Sequence, residues 1–155
     1  MFRFVLPVML SISCVGGLSA LSMTACSITD DNENCNRVVA CVGGDGLWFN
    51  GRAFGRGTGT FSGVLSDGGR CEGTWVSRNA VGIGQAEISC DDGRRGQAFY
   101  TYQDSYTGTA IGRGILNTGE GIKLWSGNNV LTYLRGDTGV RTAMLPCRGG
   151  DIPMS

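Results

Sequence analysis

The segment that decides the fold class is residues 67–90, DGGRCEGTWVSRNAVGIGQAEISC, in which two short strand-like runs flank a turn. In the first run Cys71 and Trp75 fall on one face, because side chains alternate between the two faces of a strand. In the second run Ala86 and Cys90 share a face by the same rule. If Trp75 lies opposite Ala86 in an antiparallel hairpin, Cys71 lies opposite Cys90. The segment therefore predicts a β-hairpin with a cross-strand disulfide between Cys71 and Cys90.

The same pattern continues on both sides of this hairpin. Short runs of alternating apolar and small or polar residues are separated by turn-forming clusters such as Asp91-Asp92-Gly93. Glycine makes up 27 of the 155 residues, which is more than helices tolerate. The predicted strands are 46–54, 57–66, 69–77, 82–90, 96–103, 107–116, 121–126 and 130–136. Because the connections are short, we expect residues 46–155 to form an all-β antiparallel meander of about eight strands, as an open sheet or a small barrel.

The hairpin also resembles a MORN repeat, a β-hairpin unit with the pattern D-G-x-x-Y-x-G-x-W followed by G-x-G. Residues 67–75, DGGRCEGTW, and then Gly82-Ile83-Gly84 carry this resemblance, with Cys71 in place of the tyrosine. Weaker echoes of the glycine spacing occur before and after the hairpin, without the Tyr and Trp. Kinship with this family implies a repetitive antiparallel sheet and an interaction surface rather than catalysis. A glycine-rich meander without kinship is the alternative.

The first 26 residues form a second recognisable segment. Arg3 precedes an apolar run, Phe4 to Ala25, which ends in MTAC at residues 23–26. This segment resembles a bacterial lipoprotein signal peptide over residues 1–25. The resemblance implies that Cys26 becomes the acylated first residue of the mature protein and anchors it to a membrane.

The residues around this cysteine bear on the destination of the protein. Ser27, rather than Asp, follows Cys26, and the resemblance then implies the outer membrane, facing the periplasm. An ordinary secretory signal, lipidation at Cys14 and a retained membrane helix are the alternatives, and each of them exports the rest of the chain. The polar, acidic stretch SITDDNENCN, 27–36, lacks periodicity, so we expect residues 26–45 to be the lipidated N-terminus and a flexible tether.

Charge and cysteine content limit the function classes. Basic and acidic residues number 13 each, and zero net charge argues against a nucleic-acid partner. The cysteines beyond the signal segment fit a disulfide framework in an exported domain. They are Cys35, Cys41, Cys71, Cys90 and Cys147. The pairing of Cys35, Cys41 and Cys147 is left open. Since the chain has no His and no CxxC pair, we expect no metal ion and no other cofactor.

Catalytic residues are not evident in this sequence. General acid–base catalysis at neutral pH most often uses His, which the chain lacks. The adjacent acids Asp91 and Asp92 precede Gly93 and are first of all turn formers. We therefore expect a non-catalytic binding or structural module of the cell envelope. The alternatives are a small secreted or envelope enzyme that uses a carboxylate pair, and a secreted inhibitor or recognition protein.

A partner-binding surface is expected on the strand at 96–103. Tyr100 and Tyr102 share one side of this strand by the period of two. Tyrosines beside arginines are typical of surfaces that bind a protein or a glycan. We expect Tyr100 and Tyr102 to be anchors on an exposed sheet face, with Arg94 and Arg95 as the adjoining polar rim. Packing of these tyrosines inside the sheet core is the alternative.

Overall fold

The computed structural model describes residues 35–104, 109–128, 130–135 and 142–154. The predicted signal peptide, 1–25, and the lipidation site Cys26 lie outside the described residues, as does the first part of the predicted tether.

Eight antiparallel strands close into a barrel. They are β1 Cys35–Val42, β2 Leu47–Arg56, β3 Thr58–Leu65, β4 Arg70–Val76, β5 Gly84–Cys90, β6 Arg95–Asp104, β7 Thr109–Leu116 and β8 Gly121–Gly127. Each strand pairs with the next along the chain, and β8 closes the ring by pairing with β1. The predicted all-β antiparallel meander is confirmed, and it forms a barrel rather than an open sheet.

The central hairpin has the predicted register. Trp75 lies opposite Ala86, and Cys71 lies opposite Cys90. The two cysteines form a disulfide with a Cα–Cα distance of 4.0 Å. The Cys71–Cys90 prediction is therefore confirmed, because strand alternation fixes which residues of a hairpin can meet once one pair is aligned.

The predicted tether, 26–45, is wrong for residues 35–42, which form β1. Its apolar run, 38–42, is buried on both faces of the strand. Val38 packs in the barrel interior, whereas Val39 packs under the C-terminal segment. A strand buried on both faces shows a continuous apolar run instead of alternation. The run 38–42 therefore lacks the alternation that indicates a strand, and the acidic stretch before it favoured a tether instead.

The last predicted strand, 130–136, is also wrong, because Val130–Arg135 forms the helix α1. A further strand has no free edge to join at this point, since β8 is already bonded to both β7 and β1. The helix instead packs against β9, Ala143–Cys147, which pairs with β10, Gly150–Met154, in a hairpin that was not predicted. In the part of the chain described here, no helix is long and apolar enough to cross a membrane.

The helix and the β9–β10 hairpin cover one side of the barrel wall from outside. Val39 of β1 and Trp125 of β8 point outward and pack with Leu145 of β9 in a second hydrophobic core. A disulfide between Cys41 and Cys147, with a Cα–Cα distance of 5.4 Å, ties the hairpin to β1. The C-terminal segment is therefore fixed to the barrel by both apolar burial and a covalent link.

Inside the barrel, aromatic rings lie against glycines of the neighbouring strand. Phe61 pairs with Gly73, and Tyr100 pairs with Gly84. A Cβ atom on either glycine would overlap the carbon atoms of the ring. Glycine at these positions makes room for the rings and lets them cover the bare backbone. Part of the high glycine content thus has a packing origin.

The two ends of the barrel differ. The turn end, defined by the connections 43–46, 66–69, 91–94 and 117–120, consists of four tight turns. The opposite end, here the mouth end, comprises the start of β1, the connection 77–83 and the end of β8. Any opening into the barrel interior is therefore expected at the mouth end.

Candidate functional site

The barrel interior contains a cavity of about 100 Å³. Inward side chains from all eight strands line it, and most are aliphatic or small, such as Val38, Ile88 and Leu124. No carboxylate, amine or guanidinium group belongs to this lining in the described residues. The wall therefore suits an apolar molecule.

The cavity is closed at the turn end. Leu65, Leu116 and Ile122 are buried where their strands approach this end. The Cys71–Cys90 disulfide joins β4 to β5 at the same level and is also buried. These side chains form an apolar floor below the cavity.

Polar atoms are concentrated near the mouth end. Asn36, Trp75, Tyr102 and Ser126 all line the cavity and lie within three residues of the mouth end of their strands. The indole Nε1 of Trp75 donates a hydrogen bond to the carbonyl oxygen of Phe54, at 3.3 Å. This bond fixes the indole ring as part of the wall. The cavity is thus apolar at its floor and partly polar at its mouth.

The expected exposed position of Tyr100 is wrong, because this side chain points into the barrel. Tyr100 is 8% exposed, and its hydroxyl donates a hydrogen bond to the carbonyl oxygen of Val76, at 2.7 Å. Burial raises the pKa of the Tyr100 phenol. The two tyrosines do share one side of β6, as the alternation indicates, but closure of the barrel makes that side the interior.

Tyr102 points the same way but lies nearer the mouth. It is 38% exposed, and its ring meets that of Tyr100 edge to face at a centroid distance of 5.8 Å. Burial raises its pKa as well. Because Tyr102 both lines the cavity and contacts solvent, the cavity reaches the surface beside it.

The expected rim of Arg94 and Arg95 lies at the other end of the barrel. Arg94 belongs to the turn before β6 and forms ion pairs with Asp67, at 2.8 Å, and with Asp92. The backbone N–H of Gly69 and the Arg94 guanidinium lower the pKa of Asp67, and Arg94 lowers that of Asp92. Arg95 starts β6 at the turn end, where it is exposed. Neither arginine therefore adjoins the tyrosines, and Arg94 links two turns instead.

Asn36 was not predicted as a site residue, since it fell within the expected tether. It is the second residue of β1 and faces the cavity. Its side-chain oxygen Oδ1 is buried and accepts no hydrogen bond. The period of two from Val38 and Ala40 places Asn36 on the same face, so the signal was present once β1 is recognised as a strand.

The outer face of β2–β6 carries a second depression, of about 970 Å³. We call it the outer depression. Two adjacent rows of paired residues cross its five strands. They are Arg52, Ser62, Glu72, Ser89 and Arg95 in one row, and Phe54, Thr60, Thr74, Glu87 and Gln97 in the other. Most of the side chains that line it are of polar types, and the exposed ring of Phe54 lies at one edge.

The comparisons with known proteins find likeness only among solved structures. No family model and no curated protein matches the chain. A redesigned β-barrel, mFAP0, bound to DFHBI is 16% identical, with a TM-score of 0.48 over 61% of this chain and 95% of that chain. A second barrel, from the de novo design of a fluorescence-activating β-barrel, is 16% identical, with a TM-score of 0.49 over 63% and 93% of the two chains. The chain is similar to these designed barrels in its strand arrangement.

Proposed function

We propose that this protein is a lipid-anchored component of the bacterial cell envelope that acts as a non-catalytic binding module. The MTAC segment, 23–26, supports the anchor at Cys26. The Cys41–Cys147 and Cys71–Cys90 disulfides support export, because disulfides persist in oxidising compartments. The anchor holds the barrel at the periplasmic surface of the outer membrane.

The cavity is the observation that carries the binding role. Apolar cavities inside proteins take up apolar molecules, and an engineered cavity of about 150 Å³ binds benzene. The cavity of this barrel is about 100 Å³. We therefore propose that it holds a small apolar molecule built on a single six-membered ring.

Filling the cavity tests this role. Ala86 lines the wall between Trp75 and Ala98, so Ala86→Leu places a larger side chain in the cavity. Thr101→Leu adds a leucine to the exposed outer face of β6 and is the matched control. Toluene should raise the Tm of the wild type and of Thr101→Leu, and should leave that of Ala86→Leu unchanged. A wild-type Tm that does not respond to saturating toluene would show that the cavity binds no such molecule.

Mass analysis tests the anchor. Protein from the membrane fraction should begin at Cys26, carry acyl chains and partition into detergent, since two or more buried chains hold a protein on a membrane. An unacylated N-terminus would contradict the anchor and favour the secreted alternatives.

Cys35 gives an independent check on the same sample. It is disulfide-bonded. An acylated cysteine holds its lipid through a thioether and has no sulfur free for a disulfide. Peptide mapping that joins Cys35 to Cys26 would therefore exclude lipidation at Cys26.

The outer depression favours a second candidate, recognition of an envelope glycan or protein. Its hydroxyl, amide and carboxylate groups match the hydroxyls of a sugar chain, and the ring of Phe54 is 41% exposed at its edge. Phe54→Ala should weaken retention on cell-wall polysaccharide. Phe99→Ala removes a ring of similar exposure, 42%, on the outer face of β6 outside the depression, and should have no such effect. Equal retention of both variants and the wild type would contradict glycan recognition here.

The enzyme alternative depends on two carboxylates of this depression. Glu72 lies opposite Ser89, and Glu87 is two residues from Ser89, so the two acids are diagonal neighbours. Such positions are about 7–8 Å apart between Cα atoms, and glycosidases hold their carboxyl groups about 5–10 Å apart. Release of reducing sugar by the wild type, abolished in Glu72→Gln and Glu87→Gln, would favour the enzyme over the binding module.

A further inference from the structure

One buried polar atom in the cavity wall has no partner. Asn36 Oδ1 is shielded from solvent and accepts no hydrogen bond. Two other polar groups of the lining are already engaged, since Tyr100 donates to Val76 and Trp75 donates to Phe54. Within the described part of the lining, Asn36 therefore holds the buried polar side-chain atom that is left unpaired.

A buried acceptor without a partner loses its hydrogen bonds to water and gains none in return. Native proteins satisfy nearly all such atoms with protein groups, ordered water or a ligand. A site that is built to hydrogen-bond a substrate hydroxyl discriminates strongly against the analogue that lacks it. The unpaired oxygen of Asn36 thus points to a donor group on the molecule that fills the cavity.

The cavity wall disfavours a charged ligand. No charged side chain lines the cavity in the described residues, so an ionic ligand would lose its hydration without compensation. A hydroxyl both donates and accepts, so it can bond to the carbonyl oxygen or to the NH₂ group of an asparagine amide.

We infer that the cavity takes a neutral molecule with a ring-sized apolar body and one hydroxyl group, which hydrogen-bonds to the side chain of Asn36. This inference rests on the proposed function of the cavity. The class includes phenols and small cyclic or branched alcohols. Their apolar part lies towards the floor at Leu116 and Ile122, and their hydroxyl lies towards the mouth end.

Phenol and toluene provide a test, because they differ by a hydroxyl in place of a methyl group of similar size. Dissociation constants of both are measured for the wild type, for Asn36→Val and for Thr101→Val. The second variant removes a hydroxyl from the exposed outer face of β6, outside the cavity, and is the matched control. We expect the preference for phenol over toluene to fall about five- to tenfold in Asn36→Val, as the loss of one hydrogen bond dictates. In Thr101→Val the preference should change by less than about twofold.

The outcomes separate this inference from the proposed function. If the wild type binds neither probe, the binding role of the cavity fails and the inference fails with it. If toluene binds but the preference for phenol is the same in Asn36→Val as in the wild type, only the inference is overturned. Should Asn36→Val not fold, the side-chain NH₂ resonances of Asn36 in the wild type decide. They should shift more with phenol than with toluene, because only phenol can hydrogen-bond to the amide, and equal shifts with both probes would overturn the inference.

Discussion

Replacing Tyr100 by alanine should destabilise the barrel by about 3–5 kcal/mol, the range measured for removal of a buried aromatic side chain. The ring is 8% exposed and lies against Gly84 on the neighbouring strand. Its loss would leave a void in a wall that already borders the cavity. Tyr100→Phe keeps the ring and removes only the hydrogen bond to Val76, so it should cost about 0.5–1.5 kcal/mol.

Tyr102 provides the matched comparison on the same strand face. It is 38% exposed, and Tyr102→Ala should cost about 1 kcal/mol because much of the ring already contacts water. Gly84→Ala perturbs the same contact between Gly84 and the Tyr100 ring. The added methyl group overlaps the ring, and this overpacking should destabilise the barrel by about 1–3 kcal/mol.

Urea unfolding at neutral pH, with the disulfides intact, measures the free energies of unfolding of these four variants relative to the wild type. Unchanged m-values are required, so that shifts of the midpoint report stability alone. If Tyr100→Ala unfolds within about 1 kcal/mol of the wild type, or if Tyr102→Ala is the more destabilised variant, the ring of Tyr100 does not pack inside the barrel and the described interior is wrong.

Further predictions concern the two disulfides and the ion pairs of Arg94. Replacing Cys41 and Cys147 together by alanine opens a loop of 106 residues and should lower the free energy of unfolding by about 4–5 kcal/mol in the chain-entropy model. The same change at the Cys71–Cys90 pair should lower it by about 3 kcal/mol. Equal urea midpoints for the two double variants would contradict this order. The aspartates paired with Arg94 have lowered pKa values, so they contribute stability above their ordinary pKa of 3.8 and lose it as the pH falls through the lowered values. Wild-type stability should therefore fall more steeply below about pH 4 than that of Arg94→Met; parallel pH curves would show that the ion pairs contribute nothing.

The local features of the fold could be predicted from the sequence because strand alternation is a local rule. One aligned pair, Trp75 with Ala86, was enough to place Cys71 opposite Cys90. The turn clusters also placed β2–β8 within a few residues of their observed bounds. In these cases the side chains that determine the structure lie close together in the chain.

The features that were missed depend on contacts between distant parts of the chain. Residues 35–42 become a strand because both of their faces are covered, and the outer cover comes from the segment joined by Cys147. Residues 130–135 become a helix because β1 occupies the edge that a further strand would need. Neither the strand at 35–42 nor the helix at 130–135 could be predicted from the alternation of neighbouring residues.

The candidate site was missed for a related reason. Alternation correctly places Tyr100 and Tyr102 on one side of β6, but only barrel closure decides that this side is the interior. Asn36 faces the cavity because it belongs to β1, which the sequence pattern had assigned to the tether. Composition alone could not distinguish an apolar cavity from an exposed sheet face.

Methyl NMR during a toluene titration tests whether the barrel interior holds a small apolar molecule, as proposed. Ile88 and Val38 line the cavity, whereas Val64 and Ile115 are 47% and 59% exposed on the outer wall. We expect saturating chemical-shift changes at Ile88 and Val38 and none at Val64 and Ile115. Shifts that are absent everywhere, or that are equal inside and outside the barrel, would contradict it.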